Sequence, residues 1–179
     1  MHIAQVGEAV LKQPAQDVPD EAFGTSGLKN FTAALLKTML DANGVGIAAP
    51  QVFDGRAIMF VASRPSPRYP NAPQMEPLLL INPRIISQSQ EHVWEWEGCL
   101  SVPALRGFIQ RPEQVKVHYQ DIDGNPCQIH FEGFLARIFL HEYDHLIGKT
   151  WLDHVTSTDQ IMAESVWLQQ IAGQKGTAH

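Results

Sequence analysis

The residues best suited to chemistry lie in the segment His141-Glu142-Tyr143-Asp144-His145. Residues four apart in an α-helix lie one above the other, so the imidazoles of His141 and His145 can bind one metal ion. Glu142 lies about 100° around the helix, where its carboxylate can reach a water on that ion. The spacing therefore predicts a hydrolytic metal site.

The predicted burial of this helix supports metal binding. Both histidines share a helix face with Phe134 and Ile138, an apolar stripe of the kind that points towards a core. The alternative is a surface helix that carries two histidines by chance. Because a buried pair of imidazoles with nothing to bind is costly, the metal site is the favoured interpretation.

A catalytic metal of this kind takes three protein ligands and keeps one position for water, and two side chains are candidates for the third ligand. Cys99 lies in Glu97-Gly98-Cys99-Leu100-Ser101, where the backbone can hold a thiolate, and its alternative role is that of a small buried hydrophobic residue. Glu164 would give the ligand set of a gluzincin-like metallopeptidase. The alternative is that Glu164 is not a ligand and lies partly exposed at the margin of a helix.

The glycine-containing segment Gly44-Val45-Gly46-Ile47-Ala48-Ala49-Pro50-Gln51 is a third candidate for function. Its small residues let another backbone approach, so it can pair with a peptide as an added strand. The alternative is a tight connection between a helix and a strand. Gln51 ends the segment with an amide that can donate a hydrogen bond.

The spacing of apolar residues predicts the elements that position these groups. Helices are predicted over residues 26–43, with Ser26 as N-cap, over 133–147, and over about 158–171. Strands are predicted at 57–62 and 78–81, on either side of a proline-rich segment, residues 64–73, and a hairpin pairs 115–119 with 127–131. Strands in the middle and helices at the ends predict an α+β fold.

Composition limits the class of protein. The chain has 179 residues, of which 44% are hydrophobic, and no apolar run approaches the ~18 residues of a membrane span. A net charge of -6 argues against general binding to nucleic acid or anionic lipid. The two cysteines and the absence of a signal-like N-terminus predict a cytoplasmic protein. We expect one domain over residues 1–172 and a disordered tail at 173–179.

The three segments, in this order, resemble the peptide deformylase family, enzymes that remove the N-terminal formyl group from newly made proteins. The family patterns G-x-G-x-A-A-P-Q, E-G-C-x-S and H-E-x-D-H-L match residues 44–51, 97–101 and 141–146. The resemblance implies antiparallel sheets packed around a central metal-binding helix, with an N-terminal and a C-terminal helix. Two departures are Leu140, where the family commonly has Gln, and a longer excursion over residues 64–77.

The resemblance also implies roles for individual residues. Cys99, His141 and His145 would bind one divalent ion, most often Fe(II), with Zn, Ni or Co as other possibilities. Glu142 would move the proton, while the Leu100 N–H and the Gln51 amide would hold the developing negative oxygen. The residues expected to contact substrate, with an apolar slot for methionine among them, are Gly44, Val45, Gly46, Glu97, Gly98, Arg106, Phe134 and Ile138.

The expected partners are the N-formylmethionyl peptides of nascent chains, and contact with the ribosome near the exit tunnel is a further expectation. No membrane partner and no specific nucleic-acid readout are expected. Two alternatives to a deformylase remain. One is the metallopeptidase that uses His141, His145 and Glu164, and the other is a non-catalytic relative that binds nascent chains.

Overall fold

Two antiparallel sheets and a central helix form most of the fold in the computed structural model, which describes residues 1–172. The helices are α1 (Ser26–Asp41), α2 (Gly133–Leu146) and α3 (Glu164–Trp167), the last followed by a π-helical turn at Leu168–Ala172. The strands are β1 (Gly46–Ala48), β2 (Ile58–Ser63), β3 (Met75–Gln88), β4 (His92–Cys99), β5 (Val102–Pro112), β6 (Gln114–Gln120), β7 (Pro126–Glu132) and β8 (Ile161–Ala163). The predicted α+β class is confirmed.

The larger sheet has the strand order β1-β2-β3-β6-β7, and all its neighbours are antiparallel. The predicted pairing across the proline-rich segment is confirmed, since β2 lies beside β3. The predicted hairpin is also confirmed, with Val115 opposite Phe131 and Tyr119 opposite Cys127. Alternate residues of β6, such as Val115 and Val117, are buried, so one face of the hairpin belongs to the core.

The smaller sheet, β4-β5-β8, was not predicted from the sequence. In β4 the side chain of Trp94 is 43% exposed, whereas that of Glu97 is only 4% exposed. The usual alternation of buried apolar and exposed polar residues is therefore reversed at these positions. Arginines from other elements pair with Glu97 and make its burial possible.

The two outer helices differ from the prediction in their bounds. α1 is capped by Thr25 rather than Ser26, because the Thr25 hydroxyl accepts a hydrogen bond from the Leu28 N–H. The last helix begins at Glu164 rather than near residue 158, since β8 pairs with β5 and takes the preceding backbone into the sheet. The predicted tail at 173–179 lies outside the described residues.

The central helix α2 packs against β1, β2 and β7 of the larger sheet and also against β5 of the smaller one. Its residues from Ala136 to His145 are buried except Tyr143, so apolar and ionisable side chains share the interior. α2 ends before Gly148, whose φ of 74° is readily adopted by glycine. Among residues 1–172, no helix has the length and apolar character needed to cross a membrane.

Candidate metal centre

The side chains of Cys99, His141 and His145 meet in the interior, and their ligand atoms all lie within 4.8 Å of one another. α2 supplies both histidines, and the end of β4 supplies the cysteine. The Cys99 Sγ lies 3.3 Å from the His145 Nε2. One thiolate and two imidazoles are a donor set that fits a divalent transition metal ion.

The buried carboxyl of Glu142 supports a site that holds a metal-bound water. Its Oε2 is buried and has no hydrogen-bond partner within the described part of the chain. Burial raises the pKa of the Glu142 carboxyl to about 7. A Cβ at Gly46 would overlap the Glu142 side chain, so the glycine lets β1 lie directly against this carboxylate.

The orientation of His141 is set by Glu97. The His141 Nδ1 lies 2.8 Å from Glu97 Oε2, so the ring donates Nδ1–H to the carboxylate and keeps Nε2 free for a metal. Glu97 also accepts hydrogen bonds from Arg111 at 2.7 Å and from Arg137 at 2.8 Å. Arg111 in turn binds Asp144 at 2.7 Å. Burial alone would raise the pKa of Glu97, but Arg111 and His141 lower it below its ordinary value.

The contact of Glu97 with His141 and the role of Arg137 were not predicted from the sequence. The sequence does indicate that Arg137 is buried, because it lies four residues before His141 and therefore on the same buried helix face. A buried arginine requires a buried acid as its partner.

The electrostatics around Cys99 favour a thiolate. Burial would raise the pKa of the thiol, but the imidazoles of His145 and His141 lower it well below its ordinary value. The backbone N–H of Ser101 lies 3.4 Å from the Cys99 Sγ and donates to it. Each of these contacts stabilises the charged form that a metal ion needs.

Gln51 lies beside the same sulfur. Its Nε2 is 3.7 Å from Cys99 Sγ and donates a hydrogen bond to Ser101 Oγ at 3.1 Å. Its Oε1 accepts a hydrogen bond from the Ala48 N–H at 2.9 Å, which fixes which way the amide points. The predicted oxyanion donors Gln51 and Leu100 both line the cavity next to the metal ligands.

A cavity of about 630 Å³ opens at the metal centre, and every residue predicted to contact substrate lines it. Those residues are Gly44, Val45, Gly46, Glu97, Gly98, Arg106, Phe134 and Ile138. The proline-rich segment contributes Arg64 to Tyr69 to the same wall, which the sequence analysis did not foresee.

Arg106 and Glu164 form an ion pair with each other at the cavity wall. The Arg106 side chain is 2% exposed, and its Nη2 lies 2.6 Å from the Glu164 Oε1. Within residues 1–172, the group that can hold a metal consists of Cys99, His141 and His145 and does not include Glu164. The geometry therefore lacks the His-His-Glu set of the alternative metallopeptidase.

Comparisons with known proteins agree with this arrangement. The polypeptide deformylase family model matches residues 1–160. The chain is similar to peptide deformylase 2 of Nostoc sp., with 43% identity over 94% of this chain and 93% of that protein. It is also similar to peptide deformylase 2 of Shewanella oneidensis, with 47% identity over 90% of this chain and 88% of that protein.

Solved structures show the same similarity in three dimensions. The Met-Ala-Ser-bound class I type b peptide deformylase of Acinetobacter baumannii superimposes with a TM-score of 0.84 and 44% identity. The match covers 86% of this chain and 96% of that chain. The actinonin-bound form of the same enzyme gives a TM-score of 0.80 and 38% identity, over 87% of this chain and 98% of that chain.

Proposed function

The chain belongs to the peptide deformylase family, and we propose that it hydrolyses the formyl group from the N-terminal formylmethionine of newly synthesised proteins, releasing formate. The observation that carries this function is the convergence of Cys99, His141 and His145 beside the buried carboxylate of Glu142. The metallopeptidase and the non-catalytic binder are not favoured by the comparisons.

The residues of the site have separate roles in the proposed reaction. When bound, a divalent ion supplies Lewis acidity to the attacking water and to the formyl oxygen. Glu142 accepts the proton of the water that attacks the formyl carbon, and it later gives a proton to the leaving amine. The buried position of Glu142 and its raised pKa, about 7, support this exchange near neutral pH.

The negative charge that develops on the formyl oxygen is held by the Gln51 amide and the Leu100 N–H. The hydrogen bond from the Ala48 N–H to Gln51 Oε1 supports this role, because it leaves the Nε2 end to donate. Glu97 keeps His141 in the tautomer that presents Nε2, and the 2.8 Å contact supports that assignment.

The peptide is held as an added strand beside Gly44 to Gly46, with methionine in a slot between Val45, Phe134 and Ile138. The shared cavity supports this arrangement. A thiolate with two imidazoles suits Fe(II), our proposed metal, and also Zn, Ni or Co. The substrates are nascent chains made in a bacterial-type cytoplasm, and contact near the ribosomal exit tunnel would bring the enzyme to them.

The test is formate release from formyl-Met-Ala-Ser by protein purified without oxygen and loaded with Fe(II). We expect formate and free Met-Ala-Ser as the products, with the Met-Ala bond intact. Cleavage of an internal peptide bond would show a peptidase instead. Tight peptide binding without formate release would show a non-catalytic binder.

A further inference from the structure

The proline-rich segment forms a stretch of cavity wall that the proposed hydrolysis does not use. Its residues Arg64 to Tyr69 line the same cavity as Cys99 and His141. The segment connects β2 to β3 and has no part in the metal ligand set. It is therefore placed to contact parts of a substrate that lie beyond the reacting group.

Arg106 anchors the end of this segment. Its Nη1 donates a hydrogen bond to the Tyr69 hydroxyl at 2.6 Å, and its guanidinium lies 4.4 Å from the centre of the Trp167 ring. On its other side, a Cβ at Gly98 would lie 2.6 Å from the Arg106 Cζ, so the arginine packs against the backbone next to Cys99. Tyr69 is thus held in a defined position relative to the metal centre.

Tyr69 extends the apolar wall outward from α2. Phe134 lies seven residues before His141, or about 10 Å along the helix axis. The ring centres of Tyr69 and Phe134 are 4.8 Å apart. An extended peptide advances about 3.3 Å per residue. A chain with its formyl carbon at the metal centre therefore spans about 10 Å with its second and third residues, which is the separation of Phe134 from His141 along the helix.

The charges of the wall are unevenly distributed. The carboxylates that line the cavity are Glu97, Glu142 and Glu164. Glu97 and Glu142 are buried, and Glu164 pairs with Arg106 at 2.6 Å and lies 3.8 Å from Arg68. The Arg68 Nη2 donates a hydrogen bond to the Asn43 carbonyl at 3.0 Å, but the Arg68 side chain is still 38% exposed, and Arg64 is an exposed residue of the cavity lining. The solvent side of the wall is therefore cationic, although the whole chain has a net charge of -6.

We propose that the proline-rich segment is a subsite for the residues that follow methionine, and that Arg64 and Arg68 make it favour acidic side chains there. The inference rests on the proposed deformylase function. Tyr69 supplies the apolar floor of the subsite, and the two guanidinium groups attract a carboxylate at the second or third residue. Because Arg106 already holds Tyr69 in place, the subsite needs no rearrangement of the protein when a peptide binds.

The test compares kcat/KM for formate release from formyl-Met-Asp-Ala amide and formyl-Met-Lys-Ala amide, both amidated to remove the terminal carboxylate. We expect the aspartate peptide to be favoured about three- to tenfold at low ionic strength, a range typical of a few exposed charge pairs. High salt should reduce this ratio by screening. The double variant Arg64→Glu, Arg68→Gln should abolish or reverse it.

Two controls separate the subsite from other effects. Formyl-Met amide has no following residue, so its kcat/KM should change less than twofold in the double variant. The double variant Lys149→Glu, Lys116→Gln alters two exposed cations outside the cavity, carries the same total charge change as the arginine variant, and should leave the peptide ratio as it is. It controls for the change in overall charge.

The outcomes distinguish this inference from the proposed function. A ratio near one in the unmodified protein, with formate released from all three substrates, would overturn the subsite and leave the deformylase function intact. An equal loss for formyl-Met amide in the double variant would also overturn it, because the arginines would then support the fold or the metal centre. Failure to release formate from any substrate would contradict the proposed function itself.

Discussion

Glu142 lies in an environment unlike that of an ordinary glutamate. It is buried, its pKa is raised to about 7, and its Oε2 has no hydrogen-bond partner within residues 1–172. None of this is needed for a Cys-His-His metal site, which is complete without it. We therefore propose that Glu142 acts in turnover and not in metal binding.

The variant Glu142→Gln should accordingly bind one metal ion and lose turnover. An amide cannot accept the proton of the attacking water, and general acid–base catalysis is typically worth ~10²–10⁴-fold, so kcat should fall by about that factor. Metal analysis and formate release are measured on one preparation. Glu76→Gln, at an exposed position, is the matched control. A metal-free Glu142 variant would make the residue a ligand, and a fully active one would remove it from the mechanism.

The third metal ligand can be tested at the same scale. Cys99→Ser should lose most of the bound metal, because a neutral hydroxyl replaces a thiolate that the two imidazoles stabilise. Glu164→Gln should retain the metal, since its carboxylate pairs with Arg106. Metal content per chain, measured after dialysis, decides between them. Loss of metal in the Glu164 variant and not in the Cys99 variant would support His141, His145 and Glu164 as the ligands.

At the scale of elements, the site depends on how closely β1 approaches α2. Gly46→Ala adds a methyl group where the Glu142 side chain lies, so the carboxylate must move while the metal ligands stay in place. A shift of about 1 Å can cost ~10²-fold in rate, and we expect a kcat loss of that order with normal metal content. Gly55→Ala, where a Cβ would meet nothing within 4 Å, is the matched control. Equal activity in the two variants would show that the approach of β1 is not critical.

The junction of α2 with β4 and β5 depends on the buried charges around Glu97. Glu97→Gln removes the acid that pairs with both Arg111 and Arg137, and it leaves these buried cations without their shared partner. Breaking a buried pair typically costs about 3–5 kcal/mol, so the free energy of unfolding in urea should fall by about that amount. Asp17→Asn, which breaks an exposed pair with Arg84, should cost less than about 1 kcal/mol. Similar values for both would contradict a structural role for this cluster.

At the scale of the whole molecule, a metal ion held by Cys99, His141 and His145 would link segments that are distant in the sequence. The ligands come from the end of β4 and from α2, and Gln51 approaches from the turn after β1. Binding of an ion therefore connects the two sheets through the central helix. Metal binding and folding should be coupled.

Removal of the metal should consequently lower the melting temperature. Free metal at 100 times its Kd stabilises the folded state by about 2.7 kcal/mol, and for a chain of this length each kcal/mol corresponds to about 2–4 °C. Thermal denaturation with and without a chelator measures the difference. The Cys99→Ser variant should show almost no response to the chelator. An unchanged melting temperature in the unmodified protein would mean that the ion does not support the fold.

Much of the local structure follows from the sequence because it depends on neighbours along the chain. The three- and four-residue spacing predicts α1 and α2, and strand alternation with turn residues at 121–126 predicts the β6–β7 hairpin. The stacking of His141 over His145 and the offset of Glu142 follow from helix geometry alone. The three motifs also suffice for the family, which the comparisons support over residues 1–160.

Tertiary structure decides the contacts that join distant parts of the chain. Without the family resemblance, both Cys99 and Glu164 are candidates for the third ligand, and only packing brings the cysteine to the histidines and the glutamate to Arg106. β4 escaped prediction because its buried Glu97 is neutralised by arginines from β5 and α2, which no local pattern contains. Periodicity reports which face of an element is buried, whereas the partner of a buried charge depends on how separate elements pack together.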